Sequence, residues 1–186
     1  MKKLLFILAM LQCYLVLLAQ EPGKDLGSSD QSVILPEPTL HHFCDLQVEL
    51  SPSWELGQGR AGKRRIIPII GGTVKGEGFN GKILNVGADW QTILPDGTAE
   101  LVARYAFETD DGAIIEIVNY GFRHGPADVL AAIASGEEVA PDQYYMRTQA
   151  RLETGHPKYQ WVNNRLFVGT GGKVKDKVWI TLYEIK

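Results

Sequence analysis

Alternation of apolar and polar residues, repeated along the chain and broken by glycine-rich turns, constrains this sequence more than any other feature. "FCDLQVEL" (43–50) alternates cleanly, and "RRIIPIIGG", "GKILNVGADWQTIL", "ELVARYAFETDDGAIIEIVNYGFR", "QYYMRTQARLET", "NRLFVGT" and "KVWITLYEI" follow in order. A period of two sends successive side chains to opposite faces of a strand. Turn chemistry punctuates the runs at Pro95-Asp96-Gly97, Asp111-Gly112 and "GHPK". Pro68 inside the second run argues for an edge strand or a bulge, since proline donates nothing to a ladder. One segment departs from the pattern: "GPADVLAAIASGEE" carries Pro126 near its start and Gly136 just past its end, the punctuation of a short helix. The expected fold class is all-β, a single antiparallel β-barrel or sandwich with one short helix. Closure into a barrel is favoured because it leaves no strand edge to aggregate.

The N-terminus speaks to address. Lys2 and Lys3 precede a mostly apolar run to Leu18, and the small residue Ala19 follows. That is the layout of a secretory signal peptide over residues 1–19, cleaved after Ala19; an uncleaved membrane anchor and a lipidated Cys13 are the alternatives. Residues 20–38 are polar and proline-bearing and read as a flexible tether, leaving 39–186 as the folded domain. The expected location is therefore exported, periplasmic or extracellular, with no stable membrane insertion once the leader is gone. Loss of Lys2 and Lys3 moves the formal charge from −3 to −5. An acidic chain has no general attraction for nucleic acid, so none is expected as a partner. Cys44 is then the one cysteine left, which excludes an internal disulfide; its alternation with Leu46, Val48 and Leu50 makes it a buried small hydrophobe.

Candidate chemistry concentrates in the hairpin from Glu100 to Arg123. With a two-residue turn at Asp111-Gly112, Arg104 lies opposite Asn119 and Glu100 opposite Arg123, on a face that also holds small residues. Tyr145, Arg147, Arg151 and Glu153 segregate likewise from Met146, Ala150 and Leu152, and Asp89 and Gln91 share a side opposite Trp90. In a closed barrel one set points inward, and a cavity lined by Arg, Glu, Asn and Tyr is a ligand site. Asp89 and Glu153 would supply acid/base groups beside arginines that hold an oxygen. The structural alternative is a buried ion-pair network. Trp161 covers the pocket mouth or fills the core. His41, His42, His124 and His156 lack metal-ligand spacing, so no metal is expected. "GQGRAGKRR" lacks the strand-loop-helix setting of a phosphate loop and reads as a solvated basic turn.

These stretches together resemble domain-of-unknown-function family 3237. The resemblance rests on "RRIIPIIGG", "GADWQ", "ARYAFETDDGAIIEIVNYG", "YYMRT", "LET" and "YQWVNNRLFV", and runs from about Phe43 to Glu184. It implies a single antiparallel barrel similar in outline to small cofactor-free barrels that include cyclases and dirigent proteins. It also selects Arg104, Asn119, Tyr145, Arg147 and Glu153. The expectations are a catalytic set of Asp89, Arg104, Glu153 and Tyr145, and a ligand-binding set of Gln91, Asn119, Arg147 and Trp161, with no cofactor. The function expected is a lyase, isomerase or cyclase acting on a small, partly apolar molecule. A non-catalytic ligand-binding barrel and a structural scaffold are the alternatives, and a homo-oligomer is compatible with each.

Overall fold

The computed structural model describes residues 33–174 and 176–186. The leader expected over 1–19 and most of the tether expected over 20–38 lie outside these residues. The folded unit runs from Glu37 to Lys186. Its strands are β1 (Leu40–Leu50), β2 (Trp54–Gln58), β3 (Lys63–Gly76), β4 (Phe79–Ile83), β5 (Gly87–Ile93), β6 (Ala99–Thr109) and β7 (Ile114–His124). Helix α1 (Ala127–Ser135) follows, then β8 (Tyr145–Glu153), β9 (Phe167–Val174) and β10 (Lys177–Ile185).

All pairings are antiparallel, and the sheet closes because β1 pairs with both β10 and β3. The ring is β1-β3-β5-β6-β7-β8-β9-β10, an eight-stranded barrel with β2 and β4 as additions. β4 and β5 lie end to end between β3 and β6, separated by Leu84–Val86. β2 pairs only with the start of β3 and is exposed throughout. The expected barrel with one short helix is the fold observed; α1 starts after Pro126 and ends at Gly136 in the left-handed conformation (φ 88°).

Two expectations are resolved by the pairing. Pro68, read as marking an edge or a bulge, lies in β3, an interior strand paired on both sides, beside a bulge and not at an edge. Its carbonyl accepts from Ser51 N–H at 3.0 Å, so its missing donor faces the gap between β1 and β2, and the β1–β3 register slips beside it. The second, a correction, governs the site. The β6–β7 connection is a three-residue loop: Thr109 N–H meets Ala113 O at 2.9 Å, and Gly112 (φ 82°) closes a turn onto Thr109 O. One residue more than a two-residue turn slips the register, so Arg104 faces Val118, not Asn119, and Glu100 faces Phe122, not Arg123. Each slip of one turns a strand's side chains to the other face. Hence Leu101, Ala103, Tyr105 and Phe107 share the barrel interior with Ile115, Ile117, Asn119 and Arg123, and Glu100 and Arg104 point outward.

The two ends of the barrel differ. One is packed solid with Phe43, Phe79, Phe107, Tyr159 and Phe167, their ring centroids 4.9–6.2 Å apart in successive contacts. Cys44 is fully buried in the same cluster, and burial raises its thiol pKa, as suits a small hydrophobe. At the other end Ile133 of α1 joins Ala99, Leu101, Tyr144 and Met146 in a smaller cluster. Between that cluster and the packed end the interior is open.

Candidate functional site

The opening follows from which residues the register lines up. Across the barrel, Asn119 sits between Ala103 and Ala150, and Thr148 between Gly121 and Gly169. Small neighbours leave space that polar side chains do not fill. The result is a cavity of about 670 Å³, rimmed by Ser51–Ser53, Asp96, Gly97 and helix α1. Val178 and Ile180 of β10 form an apolar wall, and Ile67, Ile69 and Leu101 stand beside polar side chains on the side formed by β3 and β5 to β9.

A hydrogen-bonded chain crosses that side. Arg65 donates from Nε and Nη2 to Gln91 Oε1 at 2.9 and 2.7 Å, and Gln91 Nε2 donates to Asp89 Oδ2 at 2.5 Å. Asp89 Oδ1 accepts from Val102 N–H at 3.0 Å. Burial raises the Asp89 pKa above its usual 3.8, against the opposing pull of Gln91, the Val102 N–H, Arg123 and Arg65. Burial and the neighbouring Arg65 charge lower the Arg123 pKa. Lys173 is lowered by burial and by Arg123 and Arg65, and its Nζ donates to Ile133 O at 3.3 Å. Tyr105 is buried and raised well above the phenol range.

Five buried side-chain polar atoms among the described residues have no hydrogen-bond partner, and four belong to residues lining this cavity: Tyr105 Oη, Asn119 Oδ1, Arg123 Nε and Thr148 Oγ1. A buried polar atom without a partner costs about 1–3 kcal/mol, so such atoms are scarce unless a site is built from them. Two donors, one acceptor and a hydroxyl of either kind are thus left unpaired on residues that line a largely apolar space, beside a carboxylate with a raised pKa. That combination can hold a small oxygen-bearing molecule and move a proton on it.

Three of the eight residues expected in the site come together here: Asp89, Gln91 and Asn119. The others lie elsewhere. Arg104 is exposed on the outer face and pairs with Glu116. Tyr145, Arg147 and Glu153 are on the exposed side of β8, whose inward side is Met146, Thr148, Ala150 and Leu152. Tyr145 stacks on His124 with centroids 4.7 Å apart, and the Arg147 guanidinium lies 5.4 Å from the Tyr145 ring centre. Trp161 belongs to the packed end, edge-on to Phe43 at 5.6 Å, far from the rim. The reasons differ: the one-residue slip turns Arg104 outward, β8 turns its smaller and more apolar set inward and leaves Tyr145, Arg147 and Glu153 in water, and Trp161 packs on Phe43 at the closed end. The cavity residues not expected are Arg65, Tyr105, Thr148 and Lys173, while Arg123 lines the cavity on the same strand face as Asn119, as read from the hairpin. Arg65 had a legible signal, because its alternation with Ile67 and Ile69 puts it on the inward side of β3; the cluster of neighbouring basic residues masked it.

The chain matches the family model described as "Protein of unknown function (DUF3237)" over residues 38–185. A UPF0311 protein of Rhodopseudomonas palustris (strain TIE-1) is 50% identical over 150 residues, covering 80% of this chain and 98% of that protein. Among solved structures, a conserved protein of unknown function from Rhodopseudomonas palustris superposes with a TM-score of 0.77 at 43% identity, covering 82% of this chain and all of that one (100%). A structure described as an enzyme from Penicillium herquei has a TM-score of 0.62 at 20% identity, covering 83% and 98%; this is a likeness of fold.

Proposed function

The chain belongs to the DUF3237 family, and from the cavity of its barrel we propose a cofactor-independent enzyme of the lyase, isomerase or cyclase kind, acting by proton transfer on a small, partly apolar molecule. The observation that carries this reading is Asp89: a carboxylate at the cavity wall with a pKa raised by burial, beside donors that have no partner in the protein. In such a site Asp89 takes a proton from a carbon next to a carbonyl. The electron pair passes to the carbonyl oxygen, which Tyr105 O–H stabilises. Return of the proton at another carbon gives an isomer; loss of a leaving group gives elimination; attack on an internal electrophile gives a ring. No electrons are gained or lost overall, so no redox partner enters.

The shared barrel of the Penicillium herquei enzyme is support at the level of fold only. The N-terminal layout of 1–19 supports action outside the cytoplasm. One observation favours a second reading, a barrel that binds without chemistry. Both Asp89 oxygens already accept hydrogen bonds, from Gln91 and from Val102 N–H, which makes the carboxylate a poorer base.

The variant Asp89→Asn separates the two. Incubation of the protein with a library of enolisable ketones and lactones, read by chromatography and mass spectrometry for products of unchanged mass or of mass lowered by a leaving group, should reveal turnover that falls at least ~100-fold in Asp89→Asn while ligand-induced thermal shifts persist. Thermal shifts without turnover in the unaltered protein would leave the binding reading in its place.

A further inference from the structure

We infer that the ligand of this cavity is an amphipathic monoanion, an apolar body carrying one carboxylate that docks on Arg123. This rests on the cavity being a ligand site and adds the chemical class of what it takes.

The argument is one of charge and of free donors. Arg65, Arg123 and Lys173 all line the cavity, and Asp89 is the carboxylate set within its wall. Asp96 and Asp176 also border it, but both are exposed on the rim, and Asp96 already accepts from Thr98 N–H at 2.9 Å. Their charges act through water, while those inside act across apolar walls, where screening is weak. The interior is therefore a positive chamber behind an acidic rim.

Of the three cations, two are already committed. Arg65 spends Nε and Nη2 on Gln91, and Lys173 reaches Ile133 O. Arg123 differs. Like Arg65 and Lys173 it forms no salt bridge among the described residues, but unlike them it also makes no side-chain hydrogen bond there: its Nε has no partner, and no acidic residue stands across from it in the ladder, where Ala99 and Met146 flank it. A half-buried guanidinium that Asp89 attracts but does not bond is expensive, and the planar fork it offers fits a carboxylate. One free fork takes one carboxylate, which is why a monoanion is expected. The remaining wall, formed by Ile67, Ile69, Leu101, Leu130, Val178 and Ile180, accepts an apolar body. The volume of about 670 Å³ accommodates a bicyclic or medium-chain acid.

The test compares acids with uncharged isosteres of the same shape. Binding of 2-naphthoate, 4-phenylbutyrate and octanoate, each beside its primary amide, is measured by isothermal titration calorimetry at pH 7. At least one acid should bind roughly 10- to 100-fold more tightly than its amide, the range for a hydrogen bond to a charged group. That advantage should vanish in Arg123→Gln, shrink in Arg123→Lys, and survive Arg104→Gln on the outer face. Equal affinity of acid and amide in the unaltered protein, a comparison needing no variant, overturns the anion inference and leaves the cavity as a site for neutral molecules. Absence of binding by all six compounds at 10 mM, on the order of the weakest affinities worth calling specific, overturns the inference and the ligand-site reading beneath it.

Discussion

At the scale of single residues, Asp89 makes the site costly to the fold, and the cost has a sign in pH. A carboxylate whose folded pKa lies above its unfolded one holds its proton more tightly when folded. Its ionisation therefore subtracts stability as pH rises from 3.8 to the raised value, after which the loss is constant. Asp111 acts in the opposite sense: hydrogen bonds from Lys158, Thr109 and Tyr159 depress its pKa, so its contribution is lost as pH falls. Subtracting one protein from another isolates the first effect. Asp89→Asn should melt above the unaltered protein at pH 7, and the gap should close as pH is lowered toward 3.8. A gap independent of pH, seen by calorimetry across pH 4–8, would mean that Asp89 keeps an ordinary pKa. Asp89 and Gln91 were legible because "GADWQ" sets two polar residues on one side of a strand and a tryptophan on the other. Arg123 was legible on the same face of its strand as Asn119, but its pairing with Ala99 and not Glu100 was not, since only the register across the ladder decides that.

At the scale of elements, the β6–β7 loop decides more than its three residues suggest. Asp111-Gly112 announces a hairpin, yet the same letters serve a two-residue or a three-residue connection, and the choice reverses which side chains meet. Most strands and the helix between Pro126 and Gly136 could be read from alternation and punctuation, but β2 was not, and "GKILNVGADWQTIL" was read as one strand where the end of β4 and all of β5 stand. The facing of β8 could not. Tyr145, Arg147, Arg151 and Glu153 alternate with Met146, Thr148, Ala150 and Leu152, and either set satisfies the period. Two glycine variants distinguish the forces holding the hairpin in place. A Cβ at Gly112 meets nothing within 4 Å, so Gly112→Ala should lose only about 1–2 kcal/mol, for the left-handed backbone. At Gly121 a Cβ would stand 2.3 Å from the Arg147 carbonyl oxygen, and the strands must part, so Gly121→Ala should lose about 3 kcal/mol or more. Urea denaturation of both variants checks the order; equal losses would mean that β7 and β8 can separate cheaply.

At the scale of the whole molecule, the barrel is stable at one end and open at the other. Phe107 is completely buried among Phe43, Phe79 and Phe167, so Phe107→Ala should leave a hole and lose about 3–5 kcal/mol. Leu101 borders the existing cavity, and Leu101→Ala should lose about 2 kcal/mol, the transfer contribution without a new void. Comparable losses in urea would contradict a pre-formed cavity. The sequence by itself determined an all-β fold with one short helix, because period two, turn residues and one punctuated segment admit few alternatives for a chain of this length. It also determined that polar residues capable of binding and proton transfer lie on the strands. Only the tertiary structure decided which of them face the cavity. That choice depends on a one-residue register and on barrel closure, both set by partners distant in sequence, and alternation alone is symmetric between the two faces of a strand.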